Sequence, residues 1–179
     1  MKQLLFAVSI AASLGAPASA AIYITTVDVG PNVVFSFAGS LNLTRMSAAG
    51  GGDPDTAVRA NLGSILFAGP GFGMDIYNIP SLPAFGSGNG GGGGAVTGDQ
   101  FKIFFGDQVG FAAGYAGEAI SGSLTVAGSS ASLGLITGVY ESYAITGDFI
   151  RLTIVPAPAA APLLLGALGL FGLVRRKRG

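Results

Sequence analysis

From Val33 onward, odd positions carry Val33, Phe35, Phe37, Gly39, Leu41 and Leu43, while even positions from Ser36 carry Ser36, Ala38, Ser40, Asn42 and Thr44. A period of two puts the apolar side chains on one face of an extended chain, which predicts a half-buried β-strand. Gly39 interrupts the apolar face and marks a bulge or bend. Between Ala21 and Val155 no segment sustains a helical period. The 31 glycines argue the same way, since each costs a helix interior about 1 kcal/mol relative to alanine.

Other segments repeat the alternation. Ile22 to Val29 is a β-branched run that ends at Gly30 and Pro31, a strand followed by a turn. Phe101, Ile103 and Phe105 alternate with Lys102 and Phe104, and Ile120, Gly122, Leu124 and Val126 alternate with Ser121, Ser123 and Thr125. Val139 to Thr146 and Phe149 to Ile154 flank Gly147 and Asp148, which predicts a two-residue hairpin turn. The expected architecture is all-β, an antiparallel β-sandwich of about seven to nine strands. Ala68 to Gly98 is expected to be irregular. It contains Pro70, Pro80 and Pro83 and the glycine run from Gly86 to Gly94, a composition that suits a mobile loop rather than a packed core.

The two ends differ from this middle. Residues 1–20 begin with Met1 and Lys2, continue through an apolar run from Leu4 to Leu14, and finish on Ala18, Ser19 and Ala20. A positive start, a short apolar core and small residues at the cut form the pattern of a secretory signal peptide. Cleavage by signal peptidase is expected after Ala20, with Ala18 and Ala20 as the small residues its pockets accept. The extracytoplasmic domain is then 21–154.

Residues 155–179 form a tail. Val155, Pro156, Ala157, Pro158 and Ala159 open it, and Ala157 to Val174 is an uncharged stretch of 18 residues. As a helix that stretch would span roughly 27 Å, close to a bilayer's ~30 Å hydrocarbon core. A transmembrane helix over 159–174 is expected. Arg175, Arg176, Lys177 and Arg178 follow it and should stay cytoplasmic.

The order of proline motif, apolar helix and basic end resembles the PEP-CTERM type of sorting signal, in particular its VPLPA variety. Val155, Pro156, Pro158 and Ala159 match the signature, Leu163 to Gly166 match the start of its helix, and Ala157 stands where the variety has leucine. The resemblance implies an exosortase-like processing enzyme as partner, a membrane-anchored intermediate, and final delivery to the cell surface or the medium. The elements Gly30 to Phe35, Gly39 to Thr44 and Ala131 to Tyr140 also resemble a group of exported proteins that carry this tail. That likeness implies a secreted β protein serving extracellular matrix or exopolysaccharide, and no known activity.

Composition narrows the chemistry. The chain has no histidine and no cysteine, which excludes disulfides, Cys/His zinc sites and any triad built on those side chains. Between Ala21 and Val155 four basic residues face nine acidic ones, a net charge of −5. Such a domain repels phosphate backbones and is not expected to bind nucleic acid. Asp53 and Asp55 flank Pro54 and are the candidates for a Ca²⁺ site, but the further oxygen ligands of a calcium loop are missing, so a solvated turn is the expected role. Asp99 and Asp107 each sit between Gly and Gln and are expected in turns. No acidic pair stands out for hydrolysis, and Lys102 lies among phenylalanines without a motif, so the chain is not expected to be an enzyme and no cofactor is implied. Tyr23, Tyr77, Tyr115, Tyr140 and Tyr143 could stack on sugars from an exposed β face or anchor the core.

Overall fold

The computed structural model describes residues 20–44, 46–52, 56–67, 73–143 and 147–155. The strands are β1 (Ala21–Val29), β2 (Asn32–Gly39), β3 (Ala48–Gly52), β4 (Thr56–Arg59), β5 (Ser64–Phe67), β6 (Met74–Asn78), β7 (Gly91–Gly92), β8 (Gly94–Gly98), β9 (Phe101–Phe104), β10 (Gln108–Ala112), β11 (Ile120–Ala127), β12 (Gly138–Tyr143) and β13 (Phe149–Ile154). One 3-10 turn, Ala60–Leu62, is the only helical element among the described residues. The described residues form an all-β structure, as the alternation requires. Thirteen strands lie among the described residues rather than seven to nine, because short strands such as β4, β5 and β7 are too brief to show a period.

Two sheets form. One has six strands in the order β12-β13-β1-β2-β11-β8, and the other has seven in the order β3-β6-β10-β9-β5-β4-β7. Their inner faces share one core, consistent with a β-sandwich. The arrangement is mixed rather than purely antiparallel: β1 and β13, the first and last strands, pair in parallel with Ala21 opposite Phe149 and Thr26 opposite Ile154. All other ladders among the described residues are antiparallel.

The β1–β2 hairpin follows from its sequence. Val29 pairs with Asn32, leaving Gly30 at φ +60° and Pro31 as a two-residue turn. The alternation beyond it buries Val33, Phe35 and Phe37 and exposes Ser36 and Ala38. The strand stops at Gly39, although Leu41 continues into the core. Gly39 has φ +140°, and a Cβ there would lie 1.8 Å from the Ala21 carbonyl oxygen, so only glycine fits this junction.

Aromatic rings knit the sheets together. Phe37 of β2 meets Phe67 of β5 at 4.7 Å and Phe101 of β9 at 5.2 Å between centroids. Phe101 contacts Phe111 of β10 at 5.6 Å, and Phe111 stacks on Tyr115 at 4.1 Å with an 8° interplanar angle. Phe35, Phe67, Phe101 and Phe111 are fully buried, each worth roughly 1.5–3 kcal/mol over an exposed side chain.

Three local expectations are corrected. Phe105 does not continue β9; it sits at φ +51° in the turn to β10 and is exposed. Gly147 and Asp148 are not a two-residue hairpin turn, because Tyr143 pairs with Phe149 and the connection takes five residues. The stretch from Ala68 to Gly98 is not irregular throughout. It supplies β6 and buries Ile79, Leu82 and Phe85. Within its glycine run, Gly91 and Gly92 pair with β4 in the seven-stranded sheet, while Gly94 to Gly98 pair with β11 in the six-stranded one. Gly93, at φ +71°, turns the chain from one sheet to the other, and a Cβ on Gly94 would meet the Thr125 carbonyl oxygen at 2.4 Å. Glycine allows this close crossing.

Gly39→Ala is expected to cost about 3 kcal/mol or more, through both the backbone conformation and the clash. A urea midpoint equal to that of the parent chain would show that the β1–β2 junction is not this tight.

Candidate functional site

The core alternation leaves a patterned outer face on the six-stranded sheet. Strand pairing sets Thr153 beside Thr25, Thr25 beside Ser36, Ser36 beside Ser123, and Ser123 beside Thr97. Directly paired residues point to the same face, so five strands carry one continuous row of hydroxyl side chains. Thr25, Ser36 and Thr97 are exposed, and Ser123 and Thr153 are half-buried. The Oγ1 of Thr97 and the Oγ of Ser123 are 2.9 Å apart. At the usual strand spacing the row is about 19 Å long.

An aromatic and ionic cluster lies beside the row. Arg151 of β13 is opposite Tyr23 of β1 and Glu141 of β12. Its Nε donates to Glu141 Oε1 in an ion pair, and the Tyr143 hydroxyl donates to Glu141 Oε2. The guanidinium carbon stands 5.1 Å from the Phe149 ring centre and 5.8 Å from that of Tyr23, within cation–π range. Tyr23 and Phe149 meet edge to face at 5.5 Å. Tyr23 is 49% exposed and Tyr143 57% exposed. The Tyr143 hydroxyl and then Arg151 hold the Glu141 carboxyl below its ordinary range, and the Glu141 carboxylate raises both the Tyr143 hydroxyl and the Arg151 guanidinium.

The five tyrosines therefore divide. Tyr115 is a core anchor: its hydroxyl accepts the Leu41 N–H at 2.8 Å and donates to the Leu41 carbonyl at 3.3 Å. Burial raises its pKa above the usual phenol value. Tyr140 packs edge to face on Phe85 and donates to the Ile136 carbonyl. Tyr77 faces the inner side, 6.4 Å from Phe111. Only Tyr23 and Tyr143 present rings on the outer face.

Among the sequence-derived candidates, Ala20 and Val155 lie at the two ends of the fold. The Ala20 N–H donates to Asp148 Oδ1 at 3.0 Å, and the Val155 N–H donates to the Thr26 carbonyl at 3.4 Å. Ala18, Pro156, Ala157, Pro158, Ala159, Arg175, Arg176, Lys177 and Arg178 lie outside the described residues, as do Asp53, Asp55 and the segment 159–174. Asp99 occupies a turn, as expected, with Oδ2 accepting the Ser121 N–H at 2.8 Å. Asp107 closes the turn between β9 and β10. Lys102 is buried in β9, with its ammonium 5.4 Å from the Phe104 ring centre. Among the described residues no three acidic side chains gather in a metal-ligating group, and no helix is long and apolar enough to cross a membrane. Glu141, Arg151 and Asp148 were not singled out by sequence, because each depends on a strand partner far along the chain or on a turn assigned differently.

Tyr115→Phe orphans the buried Leu41 N–H and is expected to cost about 1–3 kcal/mol near neutrality. With its pKa raised in the fold, Tyr115 contributes stability that is complete below the ordinary phenol pKa near 10 and lost as pH rises through the raised value. The variant should therefore lose stability less steeply above about pH 10, while the raised Tyr143 hydroxyl still contributes to the decline. Parallel alkaline limbs in urea melts of parent and variant would remove Tyr115 from this role.

No protein-family model, no curated protein and no solved structure matches this chain.

Proposed function

We propose that this chain is an exported, non-enzymatic surface protein. A cleaved signal peptide directs it out, an exosortase-like system sorts it through the tail, and it serves an extracellular matrix or exopolysaccharide. The observation that carries this reading is the agreement between fold and targeting boundaries. The first strand begins at Ala21, directly after the expected signal-peptidase cut, and the last strand ends at Ile154, directly before the proline motif. Intact mass of protein recovered from the cell surface and the medium tests it. The expected species begins at Ala21 and ends between Val155 and Ala159. A species ending at Gly179 makes the tail an anchor and removes the exosortase.

The outer face favours a second reading, a glycan-binding module. Sugars accept and donate hydrogen bonds along hydroxyl rows and stack their C–H faces on tyrosine rings, and the row beside Tyr23 and Tyr143 offers both. Retention on an immobilised exopolysaccharide column is expected, with Tyr23→Ala and Tyr143→Ala together abolishing it. Elution of the parent chain in the void volume would end this second reading and leave the sorting one intact.

A further inference from the structure

Asp148 is a carboxylate with 4% of its surface exposed. It sits directly before β13 and holds two other parts of the chain. Its Oδ2 accepts the Asn42 N–H at 2.7 Å, just after β2, and its Oδ1 accepts the Ala20 N–H at 3.0 Å, just before β1. Among the described residues no basic side chain pairs with it. Among the described residues, the charged groups acting on the neighbouring Tyr115 are Glu118 and Asp148 itself, both acidic. A buried carboxylate without a counter-charge is costly, and here it faces the expected signal-peptidase cut.

We propose that Asp148 is the receptor for the α-ammonium group of the processed chain: when the Ala20–Ala21 bond is cut, the new amino terminus of Ala21 pairs with this carboxylate. The proposal rests on the signal-peptide reading above. Hydrolysis consumes one water. The Ala20 carbonyl carbon takes the oxygen and leaves with the signal peptide as a carboxylate, and the Ala21 nitrogen gains protons and becomes an ammonium. Ala21 itself is held in place, because its carbonyl accepts the Ser40 N–H at 3.1 Å and the parallel ladder aligns it with Phe149. Its nitrogen lies about 3.3 Å along the strand from that of Ala20, whose N–H the carboxylate already holds.

The exchange carries a cost and a gain. Departure of Ala20 removes the carbonyl that accepts the Phe149 N–H at 3.3 Å, which costs a hydrogen bond. It also replaces a neutral amide donor to Asp148 with a charged one, and charge-assisted hydrogen bonds are about twice as strong as neutral ones. Processing thereby brings a positive charge to the point where β1, the exit of β2 and the entry of β13 meet.

The test uses protein exported and processed by its own host. N-terminal sequencing comes first, then labelling with an amine-acylating ester near neutral pH, followed by mass spectrometry. The α-amine of the folded chain is expected to react at least about tenfold more slowly than in urea, the effect of a one-unit rise in pKa. Asp148→Asn should restore the fast rate. Burial alone lowers an amine's pKa, whereas a carboxylate partner raises it. An NMR titration of the wild-type α-amine therefore decides the matter even if the variant does not fold, with a raised pKa expected. A first residue other than Ala21 overturns the signal-peptide reading and this proposal with it. A chain that begins at Ala21 but labels at the urea rate, shows an ordinary or lowered α-amine pKa, or stays protected in Asp148→Asn overturns the pairing alone.

Discussion

The seam of aromatic rings between the sheets is the contact on which the rest of this fold depends. The chain has no cysteine, so no covalent link relieves the core of that task. Phe37 reaches from the six-stranded sheet to Phe67 and Phe101 in the seven-stranded one, and the line runs on through Phe111 to Tyr115. There it turns back, because the Tyr115 hydroxyl grips both backbone groups of Leu41, two residues beyond β2. The seam thus starts on β2 and returns to the chain just past it. Ring pairs of this kind add about 0.5–1.5 kcal/mol each beyond their buried area. Directed contact matters here, since a core of flexible aliphatic side chains would specify the spacing of the two sheets less sharply.

Glycine does complementary work at the margins of that seam. At Gly39 the backbone passes against the Ala21 carbonyl, and from Gly91 to Gly98 one continuous run joins the seven-stranded sheet to the six-stranded one. At Gly39, Gly94 and Gly98 main chain lies against main chain, and a Cβ there would intrude. The residue type that argues against helix in the sequence is the one that lets two sheets exchange strands at a sharp corner. The same alternation that buries Phe35 and Phe37 exposes Ser36 between them, so the outer hydroxyl row is the geometric counterpart of the core. It can vary without disturbing the seam.

Legibility in the sequence followed distance along the chain. The β1–β2 hairpin and β11 were readable, because a period of two and a Gly30–Pro31 turn are local signals. Lys102 in a strand among phenylalanines was also readable, though its burial was not. The role of Asp148 was hidden: glycine followed by aspartate is ordinary turn chemistry, and only the tertiary structure turns its carboxylate toward Ala20 and Asn42. The pairing of the glycine run is hidden in the sequence, because composition reports packing capacity, while pairing is set by backbone groups that every residue shares. The five tyrosines looked alike, since no local pattern distinguishes a ring on the inner face from one on the outer face.

By itself the sequence determined an all-β chain between two apolar ends, the acidic character of its middle, and the exclusion of Cys and His chemistry. These follow from side-chain type and from a period that each strand carries within itself. The tertiary structure alone decided that the first and last strands lie side by side in parallel, that five strands align their hydroxyls in one row, and that a carboxylate at 148 faces the amide at 20. A parallel pair has no connecting turn to announce it. Ala20 and Asp148 are 128 positions apart, and their meeting is fixed by the register of β1 against β13, which rests on how the whole inner face packs.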